Sequence, residues 1–482
     1  MRRFRLLIGL LFLCLPLAAL AQLSIADIFS DHMVLQRDKT VPVWGKASPG
    51  LTVTVQFAGQ TRNTTTGNDG KWMIELSPLT VSSTPATLTV TTVNQSLALR
   101  DILVGDIWLC TGQSNMEYTF DRSLKRYAPP GKGPDVAAQE VKTTDKLSAV
   151  RYIYMERTLN KFPALPTKGW FTAADTTLRY VSAIGYFFAK EIFLQTGVPI
   201  GIISSSWGGT RIEQWTAPEA YKRSAVLAKQ MTSDTFKIDG MKPGQMYKGM
   251  ISPFAGLAIK GVLWYQGESN CMIEDQDTYK EKMRVFEDSW REAFKDDNLP
   301  FYTVLIAPYL YSARKDPKVH SAELLPLFWE AQARCLKLLR TYMVLTTDLV
   351  DNLKDIHPSY KWIIGQRMAA QALVTEYGKT GREAFHPAFV KVKRKGKKMF
   401  VSFSNTGGVL RTADAKPANW FMIAGKDKKF VTADVKISGD QLIITAARLK
   451  KPKYIRFAWQ ETAMPNLVNA AGLPAIPFRT DK

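Results

Sequence analysis

Six short apolar runs recur between about residue 101 and about residue 380, and helix-like stretches lie between them. This alternation restricts the fold more than any other feature of the chain. The runs fall at 106–110, 150–155, 201–205, 261–265, 301–306 and 342–346. Between them, Tyr279, Met283, Phe286, Trp290 and Phe294 recur at helical spacing. A second helix is predicted to start at Ser182, to carry Ile184, Phe188 and Ile192 on one face, and to stop at Gly197. These stripes read as core faces, not cofactor boxes. Alternating strand and helix implies an α/β fold, with a parallel sheet and helices on both faces.

The flanks read differently. Residues 22–100 alternate apolar and polar positions with period two, as in Val53, Val55 and Phe57, with turns at Ser48-Pro49-Gly50 and Asn68-Asp69-Gly70. A small β-sandwich is expected there. Residues 381–482 return to strand patterns around 399–404, 435–445 and 454–459, and no repeat of fixed period is visible. The expected organisation is therefore 22–100 as a β domain, 101–380 as an α/β domain and 381–482 as a second β region.

The first 21 residues have the form of an export signal. Arg2, Arg3 and Arg5 precede an apolar stretch from Leu6 to Leu17, and Ala18-Ala19-Leu20-Ala21 offers a cleavage site. The stretch is shorter than a membrane span needs. After cleavage the expectation is a periplasmic or extracellular protein with no integral membrane segment. Three cysteines would remain, Cys110, Cys271 and Cys335. An odd number argues against a disulfide framework and for buried thiols, although Cys110 and Cys271 both lie near strand ends where a bridge is conceivable. No cysteine or histidine spacing suits zinc, and no metal or cofactor is expected. The formal charge is +21, with one dense basic run at 391–398 that reads as a solvated hairpin around Gly396. Without interleaved aromatics, nucleic-acid binding is not expected.

The chemistry centres on strand ends. Ser114 follows the run 106–110, where an open α/β sheet presents a nucleophile. A serine hydroxyl needs a base. Of the four histidines, His357 comes late in the α/β region, before Pro358. His32 falls in the first β domain, His320 reads as a surface residue, and His386 reads as part of a packed loop. Asp355 stands two before His357, on the same side of an extended backbone, and Asp351 is a weaker candidate to hold the ring. For an oxyanion, the N–H groups of Ser114 and of Gly208 or Gly209 are candidates, with a side-chain amide from Gln266 or Asn270. Arg211 offers a planar fork to a substrate carboxylate. Trp207, Trp215, Trp264 and Tyr265 offer flat faces to a sugar. Glu213 and Glu268 invite a two-carboxylate glycosidase reading, but bracing of the cleft is the plainer role.

Four motifs stand in order: Gly112-Gln113-Ser114-Asn115-Met116, Ser206-Trp207-Gly208-Gly209-Thr210, Trp264-Tyr265-Gln266-Gly267-Glu268-Ser269-Asn270 and Asp355-Ile356-His357-Pro358. Together they resemble the SGNH hydrolase superfamily and, within it, the sialate O-acetylesterase family of carbohydrate esterases. The resemblance runs over most of the chain after the signal segment. It implies a three-layer α/β/α catalytic domain and removal of O-acetyl groups from carbohydrate, with O-acetylated sialic acid first and acetylated xylan second. It implies Ser114 and His357 as catalytic residues with Asp355 as the third. The oxyanion donors would come from Ser114, Gly208, Gly209, Gln266 and Asn270, and the substrate contacts from Arg211, Trp207 and Glu268. One departure is clear: the superfamily places its aspartate three before the histidine, where this chain has Lys354. A non-catalytic carbohydrate-binding protein is the alternative of another class.

Overall fold

The computed structural model describes residues 22–481 apart from 121–127, 142–146, 156–168, 174–177, 179–180, 231–239, 315–318 and 382–383. The signal segment expected over 1–21 lies outside the described residues.

Six parallel strands form the centre of the molecule: β1 Ser96–Gly112, β2 Val150–Tyr154, β3 Ile200–Ser206, β4 Gly261–Tyr265, β5 Phe301–Val304 and β6 Thr341–Val344. Their spatial order is β2-β3-β1-β4-β5-β6, with a short antiparallel strand, Phe171–Thr172, at the β2 edge. Every run predicted from the sequence is therefore a strand. β1 is longer than its apolar run suggests: it spans 17 residues and passes through residue 100 without a break. Its first part pairs with Ser82–Thr91, and residues 103–105 pair in parallel with Val34–Gln36. Four N-terminal strands, Val34–Gln36, Thr52–Phe57, Gln60–Thr65 and Ser82–Thr91, thus share one eleven-stranded sheet of mixed direction with the central strands, while Ser24–Ile25, Val41–Lys46 and Lys71–Leu76 form a separate three-stranded sheet. Asp106 looked like a strand start because a charge is costly inside a sheet. It is nevertheless fully buried, satisfied by Gln36 and by both Nε and Nη2 of Arg37.

Side chains alternate across a strand, so register assigns the helices to faces. Cys110 of β1 is level with Leu263 of β4, and Thr111 with Trp264. On the Cys110 side lies α2, Ala183–Thr196, whose Phe188 ring meets Trp108 at 4.7 Å. On the Trp264 side lies α5, Tyr279–Phe294, whose Phe286 ring is 4.4 Å from Trp264. The helix signals read from sequence hold at both ends of α2. Ser182 accepts from the Gly185 N–H, and Gly197, at φ +70°, closes the helix with a bond to the Phe193 carbonyl. The last helix of this region, α6 Lys361–Glu376, crosses α2 closely. A β-carbon at Gly365 would sit 2.6 Å from the Ile184 carbonyl oxygen, so glycine is what permits the approach.

Residues 388–479 form two four-stranded sheets and a two-stranded ribbon. The basic run 391–398 is the expected hairpin, turning at Gly396 between Ala388–Lys395 and Lys398–Ser404. The region is fastened to the α/β part by ion pairs Arg456–Glu323 and Arg479–Glu330 and by His386. The His386 ring donates from Nδ1 to the Pro474 carbonyl and accepts at Nε2 from the Leu345 N–H. Burial pushes its pKa down to about 3, so the ring is neutral. Cys110, Cys271 and Cys335 are buried free thiols. Among the described residues no helix is long and apolar enough to cross a membrane.

Candidate active site

The order of the sheet places a crevice at β1. The chain leaves β1 for β2, returns to β3 beside it, and then crosses to β4 on its other side. In such a sheet, ligands bind at the carboxyl ends where the order reverses. The Ser114, Gly208-Gly209 and Gln266–Asn270 segments follow β1, β3 and β4 respectively. Ser114 opens a short helix, α1 Ser114–Glu117. The turn before it is tight. Gly112 has φ +140°, and a β-carbon there would lie 2.1 Å from the Tyr265 carbonyl oxygen. The Gln113 N–H donates to that same carbonyl, and Gln113 Oε1 accepts from the Gly267 N–H at 3.3 Å. The first and third motifs therefore hold each other.

His357 arrives from the far side of the sheet. β6 ends at Val344, and the following loop runs back over the carboxyl ends before α6 packs on α2. The result is a Ser114 Oγ to His357 Nε2 distance of 2.9 Å. Both side chains are partly exposed, the His357 side chain at 25 %. Asp355 is adjacent but loosely engaged. Its Oδ1 is 3.5 Å from His357 Nδ1 and accepts the His357 main-chain N–H at 2.9 Å. The histidine beside it holds its carboxyl below the usual carboxylate range. Asp351 is a strut elsewhere, accepting from the Gly131 N–H and the Tyr360 hydroxyl.

The expected oxyanion donors separate into two sets. Gly209 has φ +74°, a conformation that favours glycine. Its N–H has no hydrogen-bond partner among the described residues. The Gly208 N–H, by contrast, donates to Glu117 Oε2 at 3.0 Å. The Gln266 amide does not turn to Ser114: its Nε2 donates to the Thr210 carbonyl and to Asn270 Oδ1. Asn270 Nδ2 donates to Glu213 and Asp275, and its Oδ1 also accepts from the Ile212 N–H. Expectation and structure differ here because those amides have nearer acceptors in a buried brace. Lys282 completes the brace, with its Nζ 2.7 Å from both Glu213 and Asp275. A glycosidase acid at Glu213 is disfavoured by that sealed pair.

Glu268 heads the helix α4, Glu268–Met272, and is buried. Its Oε1 accepts from Asn115 Nδ2 at 2.5 Å, and burial raises its pKa. It therefore faces Asn115, the residue after Ser114, and is not on the cleft surface. Arg211 and Trp207 are partly exposed, on the loop that follows β3. Arg211 caps α3, Ile212–Trp215, its N–H donating to Gln214 Oε1. Trp215, Trp264 and Tyr265 are fully buried core rings, so of the four aromatics only Trp207 is accessible to a sugar. His320, read as a surface residue, is buried with Nδ1 3.2 Å from Glu274; the partner is 46 positions away, which local sequence does not reveal. His32 pairs with Asp101 in the N-terminal part. Glu117, Asn115 and Lys361 carry site contacts that the sequence reading left unassigned. Local sequence does not mark them, because their partners lie 91 to 246 positions away. Among the described residues no group of three or more His, Cys, Asp or Glu is arranged to hold a metal ion.

Residues 104–374 match the family described as carbohydrate esterases, sialic acid-specific acetylesterases. The chain is 28% identical to the human sialate O-acetylesterase over 382 residues, covering 73% of this chain and 71% of that protein. It is 25% identical to the Rattus norvegicus sialate O-acetylesterase, covering 90% of this chain and 89% of that one. The crystal structure of a carbohydrate acetylesterase from Xanthomonas citri superposes with a TM-score of 0.83 at 31% identity, covering 95% of this chain and 99% of that one. The chain belongs to the sialic acid-specific acetylesterase family of carbohydrate esterases, and it is a carboxylic ester hydrolase that acts through a serine.

Proposed function

We propose that this esterase is exported through residues 1–21 and removes O-acetyl groups from O-acetylated sialic acid. The 2.9 Å contact between Ser114 Oγ and His357 Nε2 carries the reading. His357 takes the hydroxyl proton as Ser114 attacks the acetyl carbonyl. The negative oxygen that forms is met by the Ser114 N–H, at the N-terminus of α1, and by the Gly209 N–H. The sugar hydroxyl leaves with the proton from His357. Water, deprotonated by the same ring, then releases acetate from Ser114. Asp355 helps to orient the ring and offsets its charge. We further propose a three-layer α/β/α catalytic unit over 101–380, supported by α2 and α5 lying on opposite faces of the sheet. On this reading 22–100 is a β-sandwich-like domain and 381–482 a separate β region.

The substrate assignment rests on Arg211. It stands beside the glycine turn, partly exposed, and a guanidinium recognises a carboxylate such as that of sialic acid in a planar, two-point manner. Acetate release is measured from di-O-acetylated sialic acid and, in parallel, from acetylated xylan. The expected result is release from the sialate, with Arg211→Ala raising KM for the sialate and leaving neutral acetyl esters unaffected. Release mainly from xylan reassigns the substrate to plant polysaccharide and keeps the serine mechanism. No acetate from either overturns the reading.

A further inference from the structure

Lys361 is a fully buried lysine four residues after His357. Its Nζ donates to the Pro358 carbonyl and to Asn115 Oδ1, each at 2.6 Å, and lies 4.7 Å over the Tyr118 ring. Asn115 uses its other end as well. Its Nδ2 donates to the Ile356 carbonyl at 3.0 Å and to Glu268 Oε1. The two carbonyls so bound are those on either side of His357. The residue next to the nucleophile therefore holds both flanks of the base, one directly and one through Lys361. Glu268 places an acidic group at the far end of the same chain of bonds.

We propose that Lys361, Asn115 and Glu268 are positioning residues, a clamp that fixes the His357 main chain so that its ring meets Ser114. The proposal rests on the Ser114–His357 reading above. Two features support it beyond the contacts. First, Asp355 reaches the ring only at 3.5 Å, so the acid alone sets the ring poorly, and restraint of the backbone supplies what is lacking. Second, a buried ammonium is costly unless it is hydrogen-bonded and paired. Here Nζ is aimed at two oxygens and a ring face, each on a segment that carries or adjoins the reacting pair. Burial pushes the Lys361 pKa down to about 7 and the Glu268 pKa up, which is the cost of keeping both groups in this position. A helix start in need of a plain cap would be served by a short polar side chain with neither cost.

The test uses the mature protein and the variants Lys361→Met, Glu268→Gln and the double variant. Two quantities are read: the rate at which a fluorophosphonate labels Ser114, located by peptide mass spectrometry, and kcat and KM on 4-nitrophenyl acetate. Lys361→Met is expected to lower the labelling rate and kcat by about a hundredfold, because a small misplacement of a reacting group has that effect, with KM changed less than about twofold. Glu268→Gln keeps shape and the acceptor for Asn115 and is expected to lower kcat by about tenfold. It carries the test if Lys361→Met does not fold. The double variant is expected to be about as slow as Lys361→Met alone, since groups that act as a unit are not additive. Wild-type labelling at Ser114 with unchanged rates in both single variants overturns the clamp and leaves the serine mechanism standing. A loss confined to KM overturns it too, by making these residues substrate contacts. Absence of labelling at Ser114 in the wild type overturns the serine reading itself, and the clamp with it.

Discussion

Two polar clusters sit at the carboxyl ends of the same strands, and they are built to opposite rules. Under the cleft, Gln266, Asn270, Glu213, Asp275 and Lys282 are buried and bonded to one another. Asn270 uses both amide atoms, each with two partners. At the cleft, Ser114 and His357 are partly exposed and joined by a 2.9 Å hydrogen bond, and the Asp355 carboxylate stands 3.5 Å from the ring. Amides and carboxylates occur in both clusters, so residue type does not tell them apart. Exposure does. A group buried with its hydrogen bonds made inside the protein is scaffold, and a group that keeps access to the cleft is available to a substrate.

Four perturbations distinguish the two clusters. The largest effect is expected for His357→Ala, where acetate release falls roughly a thousandfold to ten-thousandfold while the unfolding midpoint in urea hardly moves. Lys282→Met should do the reverse. Removing the cation leaves Glu213 and Asp275 buried without a counter-charge, held only by neutral donors such as Asn270, and denaturant unfolding should register a loss of about 3–5 kcal/mol. A stable, inactive Lys282→Met would move the brace into the catalytic set. Third comes acid. His386 is saturated and neutral, with a folded pKa near 3 against an unfolded value of 6.5, so its contribution is present above about pH 6.5 and fades as pH falls towards 3. At about pH 4.5 the C-terminal region should be weaker by about 2–3 kcal/mol, and His386→Gln should flatten the pH dependence of melting between those limits. Smallest is Asp355→Asn, expected to lower kcat about tenfold to a hundredfold, where a closely bonded triad acid is worth about ten-thousandfold. A loss at the larger figure would mean that Asp355 moves in on the ring when substrate binds.

The strands and helices were legible because burial writes itself into spacing. The apolar runs, the Ser182 start and the Gly197 stop of α2 all correspond to elements of the structure. The beginning of β1 was not legible, since Asp106 interrupts the run and its compensation by Arg37 and Gln36 lies 69 and 70 positions away. The site divided in the same way. Ser114 was legible as a serine at a strand end and His357 as the histidine late in the α/β region before Pro358, and the structure brings them together. The direction of an amide was not. Gln266 faces Thr210 and Tyr279 rather than Ser114, and the Gly208 N–H is taken by Glu117, because of contacts among loops whose mutual placement only the folded sheet defines. Lys361 was not legible as a site residue, because its burial comes from packing against Asn115 and Tyr118, far away in the chain.

The most direct test of the account is the rate of acetate release by Ser114→Ala on an acetylated sugar. Ser114 is partly exposed, so its hydroxyl is removed without leaving a sealed cavity, and the variant should fold as the wild type does. The account predicts a rate at least roughly a thousandfold lower. Release close to the wild-type rate would contradict it.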